Sequence, residues 1–182
     1  MGNAIAADRL SQLAHDIRAD AGQGVASCGV NVAWVGGTHA RVRTLPMSIG
    51  DRRVQRDFRW TVDQPGPCGG GDLAPSAPEL LLSCLGACLV TGFAVGATVM
   101  GIQLRSLEIE LHARHDLAGS LQLRRGADVP LAGIDYTIRL SGDGTQEQFE
   151  RLREKAQMHS PCAMSLLHGV PLHGRLELSL PS

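Results

Sequence analysis

The stretch SAPELLLSCLGACLVTGFAVGATVMG, residues 76–101, decides how this chain folds. It opens with Ser76 and, three residues on, Glu79, with Pro78 between them: a capping box whose proline stands in the first turn, where a missing N–H is harmless. Gly101 marks the stop. From Leu80 to Leu104 no side chain carries a charge, so by length alone the segment could cross a membrane. Ser83, Thr91, Thr98 and four glycines dilute its apolarity, and no Trp or Tyr marks either end, so a buried helix of a soluble domain is expected. A helix with no polar side needs cover all round, and two copies of the chain supply it more easily than one. Gly86, Ala87, Gly92, Ala94 and Gly96 predict close approach of a partner backbone near a two-fold axis; one chain wrapping its own helix is the alternative.

Working outward, residues 63–78 hold four glycines and four prolines and read as a loop. Before it, Val30–Val35, Ala40–Leu45 and Val54–Val62 alternate as antiparallel strands, with turns at Gly36-Gly37 and Gly50-Asp51. Earlier still, Leu10, Leu13 and Ile17 recur at helical spacing, with Asn3 as the expected cap and Gly22 and Gly24 as stops, so residues 1–24 read as a helical extension and 25–182 as one domain. After the central helix, Leu107 to Ala113 and Ile134 to Leu140 alternate as strands. Thr145 and Gln148 form a second capping box ahead of the amphipathic residues Phe149, Leu152 and Ala156. Ser160-Pro161 starts a last helix that stops at Gly169, and Leu176, Leu178 and Leu180 predict a closing strand. Strands in runs, separated by helices, give an α+β class with antiparallel sheets.

With 43% hydrophobic and 19% charged residues and a net charge of −1, the 182-residue chain has enough for one core and no positive field to draw nucleic acid or a membrane surface. The five cysteines, at 28, 68, 84, 88 and 162, are odd in number and lack a disulfide framework, which predicts a reducing compartment. Asp8 and Arg9 interrupt any signal-peptide core, so the cytoplasm is expected. No His, Asp, Glu or Cys spacing suggests a metal, and Gly69-Gly70-Gly71-Asp72 lacks the residues of a phosphate loop, so no cofactor is expected. Cys84 and Cys88 share a helix face. Glu79 and Cys88, nine apart, do not, so cooperation between them would need a third group such as an arginine.

The blocks APSAPELLLSCLGAC, GIDYTIRL and LREKAQMHSPCAMSLLHGVPL resemble the OsmC/Ohr family of osmotically inducible and organic hydroperoxide resistance proteins, over roughly residues 30–180. The resemblance implies an intertwined homodimer in which antiparallel sheets surround two long central helices. It implies a peroxidase in which Cys88 attacks an organic hydroperoxide and a dithiol, such as a lipoyl group, restores the enzyme. It further implies that Glu79 orients an activating arginine from the N-terminal strands, with Arg43 the first candidate and Arg41 the second. The sequence departs from the family at one point. The second family cysteine directly precedes proline, whereas here Ser160 precedes Pro161 and Cys162 follows. Either Cys162 resolves the sulfenic acid or no internal thiol does. The alternative function is binding of a small hydrophobic molecule at the dimer interface, with Cys88 a packed residue.

Overall fold

The computed structural model describes residues 3–178. Its centre is α2, Ala77–Val99, whose capping box is formed: the Ser76 backbone N–H and hydroxyl donate to Glu79 Oε2 at 2.8 and 2.6 Å. Gly101, at φ +70°, turns the chain out of the helix. Leu85, Leu89, Phe93 and Ala97 recur every four residues and are buried, because that stripe packs on β7 (Leu104–Arg114), α4 (Gln146–Met158) and α5 (Pro161–His168). Phe93 and Ala97 share one cluster with Ile102, Leu152 and Ala156, and Leu85 and Leu89 share another with Ala163.

Gly86, Gly92 and Gly96 serve this packing rather than a partner helix. A Cβ at these positions would stand 2.8 Å from Leu111 Cδ1, 3.2 Å from Ala156 Cα and 2.7 Å from Leu152 Cδ2. Their smallness lets β7 and α4 approach closely enough to bury Phe93 and Leu152. Within one chain α2 is therefore covered on one side, and Cys84, Ala87 and Thr91 on the other side are exposed. The helix has the length of a membrane span and an 18-residue window with its mean hydropathy, 2.1; in this fold its buried stripe is the centre of the α+β core.

β7 pairs antiparallel with β8 (Gly133–Gly142), after a short α3 (Leu117–Ser120). The N-terminal half forms two further antiparallel sheets. One is β2 (Val30–Gly36), β3 (His39–Thr44) and β6 (Arg59–Val62), in the order β2-β3-β6; the other is β1 (Ala26–Ser27), β4 (Met47–Ile49) and β5 (Arg52–Val54), in the order β1-β4-β5. The strand expected over Val54–Val62 is thus two strands in different sheets. The Gly50 turn folds Arg52–Val54 back on Met47–Ile49, while Arg59–Val62 pairs with β3. At that turn Gly50 has φ +58°, and a Cβ there would meet the Gln23 backbone at 2.8 Å.

Both faces of the β2-β3-β6 sheet are largely open. Val30, Val32 and Trp34 lie on one face, with Trp34 78% exposed; Arg41, Arg43 and Arg59 lie on the other. α1 (Ala7–Ala19) buries no residue. Its cap is Ala6, without a side-chain bond, because Asn3 is used elsewhere: its amide donates to Ile102 O at 2.7 Å and Thr98 Oγ1 at 3.2 Å, and its oxygen accepts from Leu104 N at 2.9 Å. Leu176 and Leu178 are exposed and belong to no strand, so the expected closing strand is not formed among the described residues; Leu180 lies outside them.

Candidate active site

Three elements bring two thiols together. Leu85 and Leu89 anchor the middle of α2 in the core, which fixes Cys88 between them at the edge of the packed face. α4 ends at His159, and Ser160, 2% exposed, caps α5 by accepting the Ala163 N–H at 3.1 Å. Pro161 follows in the first turn, where its missing N–H leaves nothing unsatisfied, and Cys162 comes next. Cys88 lies against this turn. Its partial burial pushes the thiol up, but hydrogen bonds from the Ser160 hydroxyl, the Cys162 backbone N–H and the Cys162 thiol outweigh that and hold it below the ordinary thiol range.

Cys162 moves the opposite way. Burial raises it first, then the proton it shares with Cys88 and the negative charge of Cys88 and Cys84. Of the pair, Cys88 is therefore the thiol that gives up its proton more readily and Cys162 the one that keeps it, an attacking sulfur with a second sulfur near it. Cys84 is exposed, one turn before Cys88. Cys28 and Cys68 are exposed and stand outside this group. Beside Cys88 runs an open groove of about 380 Å³, in which Val95, Val99 and Met100 give an apolar floor and Lys155 and His159 stand on the α4 side.

The other residues expected at the site are not gathered here within one chain. Glu79 lies at the start of α2, and its carboxyl is held below its usual range by the Ser76 hydroxyl and then the Ser76 N–H. Both bonds fall on Oε2. Arg43 donates weakly to Asn31 at 3.5 Å, and among the described residues neither it nor Arg41 is paired with Glu79. Lys155 and His159 carry no signal of the site in the sequence, and Ser160 enters there as a helix start and as the residue where the family has its second cysteine. Ser160-Pro161 signals a helix start, which is correct, but nothing local shows that the capping hydroxyl also faces a cysteine 72 residues earlier. Among the described residues no group of three or more His, Cys, Asp or Glu is placed to hold a metal ion.

No curated protein matches the sequence. Solved structures match its fold. An OsmC-like protein from Mycoplasma pneumoniae is 13% identical, with 79% of this chain and 89% of that one covered and a TM-score of 0.61. The organic hydroperoxide resistance protein OsmC from Legionella pneumophila is 19% identical, covering 79% and 90%, at 0.53. The organic hydroperoxide resistance protein OhrB of Bacillus subtilis is 14% identical, covering 79% and 92%, at 0.51. A family model described as OsmC-like protein matches residues 69–173. That span holds the whole of α2 and the Ser160-Pro161 turn as well as more than half of the sequence, and by it the chain belongs to the OsmC-like protein family.

Proposed function

We propose that this protein is a thiol-dependent peroxidase that reduces organic hydroperoxides in oxidative-stress defence, working as a cytoplasmic homodimer without a cofactor. The observation that carries the reading is Cys88 at the side of an apolar groove, beside the turn that carries Ser160 and Cys162, which hold its thiol below the ordinary range. The hydroperoxide resistance proteins of the same fold support it.

The Cys88 thiolate attacks the distal peroxide oxygen, the O–O bond breaks, and an alcohol leaves. The sulfenic acid that results carries no charge, so the repulsion that kept Cys162 protonated falls away. Cys162 then attacks the Cys88 sulfur, water leaves, and a disulfide forms. A dithiol reductant, of lipoyl type in our reading, returns both thiols by exchange. The open faces of α2 and of the β2-β3-β6 sheet are the surfaces a second copy covers. Across that dimer Arg43, or Arg41 beside it, meets Glu79, whose Oε1 is not used by Ser76, and lends positive charge to Cys88.

Loss of cumene hydroperoxide with excess dithiol tests this in wild type, Cys88→Ser and Cys162→Ser. Turnover abolished by Cys88→Ser and by Cys162→Ser makes Cys162 the resolving thiol; turnover abolished by Cys88→Ser alone leaves resolution to the external thiol. A second reading is favoured by one observation: another apolar groove, of about 540 Å³, lies between α2, β8 and α5 and is lined by Leu85, Leu89, Ile134 and Leu166 with no thiol. A wild type inactive on every hydroperoxide and dithiol would make the protein a binder of small hydrophobic molecules.

A further inference from the structure

The groove beside Cys88 has two unlike walls. α2 supplies the sulfur and the apolar floor, and α4 supplies Lys155 and, just past its last turn, His159. Both side chains line the groove, Lys155 from the last turn of α4 and His159 from the residue that caps it. His159 directly precedes Ser160, the cap of α5, and His159, Pro161 and Cys88 line the same groove. It is exposed, and no hydrogen bond engages its ring among the described residues. A nucleophile and an unengaged imidazole thus line one cavity.

Peroxide cleavage needs that second group. When a thiolate attacks the distal oxygen of ROOH, the leaving group is an alkoxide, a base far too strong to depart readily without a proton. The Ser160 hydroxyl and the Cys162 backbone N–H cannot give one, since an alcohol and an amide hold their protons far too tightly near neutral pH. A lysine ammonium holds its proton tightly near neutral pH, whereas an imidazolium gives it up there.

We propose that His159 is the general acid of the peroxidatic step. The inference rests on the peroxidase reading. A lone pair of the Cys88 thiolate forms the S–O bond to the distal oxygen, which keeps its hydrogen. The O–O bond breaks, and its electron pair passes to the proximal oxygen, which takes the proton from the His159 imidazolium. Sulfur is oxidised to the sulfenic acid, the hydroperoxide is reduced to an alcohol, and the neutral imidazole regains a proton from the solvent that reaches it.

The test compares two oxidants whose leaving groups differ. Cumene hydroperoxide releases an alkoxide that needs a proton; peracetic acid releases acetate, which does not. Single-turnover oxidation of reduced full-length protein is followed in wild type, His159→Gln and Lys155→Met. His159→Gln is expected to lower the rate with cumene hydroperoxide about 100-fold and to change that with peracetic acid by less than about threefold. Lys155→Met is expected to change both rates by one factor. Equal effects of His159→Gln on the two oxidants, no effect on either, or the selective loss appearing in Lys155→Met instead would overturn the assignment. A wild type that reduces neither oxidant overturns the peroxidase reading, and this assignment with it.

Discussion

Ser160, whose hydroxyl accepts the Ala163 N–H at 3.1 Å, also lowers the Cys88 thiol, so the residue that starts α5 acts on the sulfur on α2. A hydroxyl cannot form a disulfide, but it can stabilise a thiolate that a second thiol in its place would compete with. Ser160→Ala is expected to slow alkylation of Cys88 by iodoacetamide at pH 6 about tenfold, the effect of losing one bond to a charged group. In wild type at that pH Cys88 should react faster than Cys28. Peptide-resolved mass spectrometry reads both rates, and equal rates in wild type and variant would remove Ser160 from the site.

Gly92 lets the α4 backbone come to 3.2 Å from where a Cβ would be. Gly92→Val would push α4 away, with the strain of an overfilled contact at about 1–3 kcal/mol. Thermal denaturation should show a lower midpoint, and cumene hydroperoxide turnover should fall with it, because the moved helix carries one wall of the groove. An unchanged midpoint would contradict the close packing.

Asp63 is 1% exposed and gathers four donors: Thr38 Oγ1 at 2.6 Å and the N–H groups of Gln64, Gly71 and Leu73 at 2.8, 3.0 and 3.3 Å. The Thr38 bond foremost, and then the backbone N–H groups, hold its carboxyl below the usual range against the opposing effect of burial. A carboxyl lowered by folding stabilises the fold above the unfolded-state value of about 3.9, and that contribution disappears as pH falls through the lower folded value. Asp63→Asn should therefore melt well below wild type at pH 7, and the gap should close toward pH 3. A gap independent of pH would show that the charge is not what matters.

Trp34 and its neighbours Val30 and Val32 form the most exposed apolar face of the β2-β3-β6 sheet. Trp34→Glu is expected to turn a dimer into a monomer in sedimentation velocity while leaving the circular dichroism of α2 in place. A wild type already monomeric at micromolar concentration would overturn the homodimer.

How much of this could be read in advance follows from the range of the interactions. The ends of α2, α4 and α5 are written locally, in Ser76–Glu79, Thr145–Gln148 and Ser160-Pro161, because capping acts over three residues. Pairing of strands is not local: the alternation through Val54–Val62 is compatible with one strand or two, and what divides it is the choice of partner, Met47–Ile49 for Arg52–Val54 and β3 for Arg59–Val62. The glycines of α2 announce close packing without naming the neighbour, and Leu111, Leu152 and Ala156 turn out to occupy the places given to a second helix. At the site, helical spacing puts Cys84 and Cys88 on one face without choosing between them, and the family resemblance alone singles out Cys88. Lys155 and His159 reach its groove only through the way α4 lies along α2.

The three bonds of Asn3 span 95, 99 and 101 residues of chain. Such a tether closes a loop of about half the molecule around a single amide side chain, an entropic demand that only a preformed acceptor can meet. The acceptor is the end of α2 and the start of β7, so the N-terminal arm must wait for the core to be built and then lock onto it. Contacts made last contribute little to the speed of folding and much to the slowness of unfolding. Asn3 thus acts as a latch on the lifetime of the native state, set at the far end of the helix that carries the reactive cysteine.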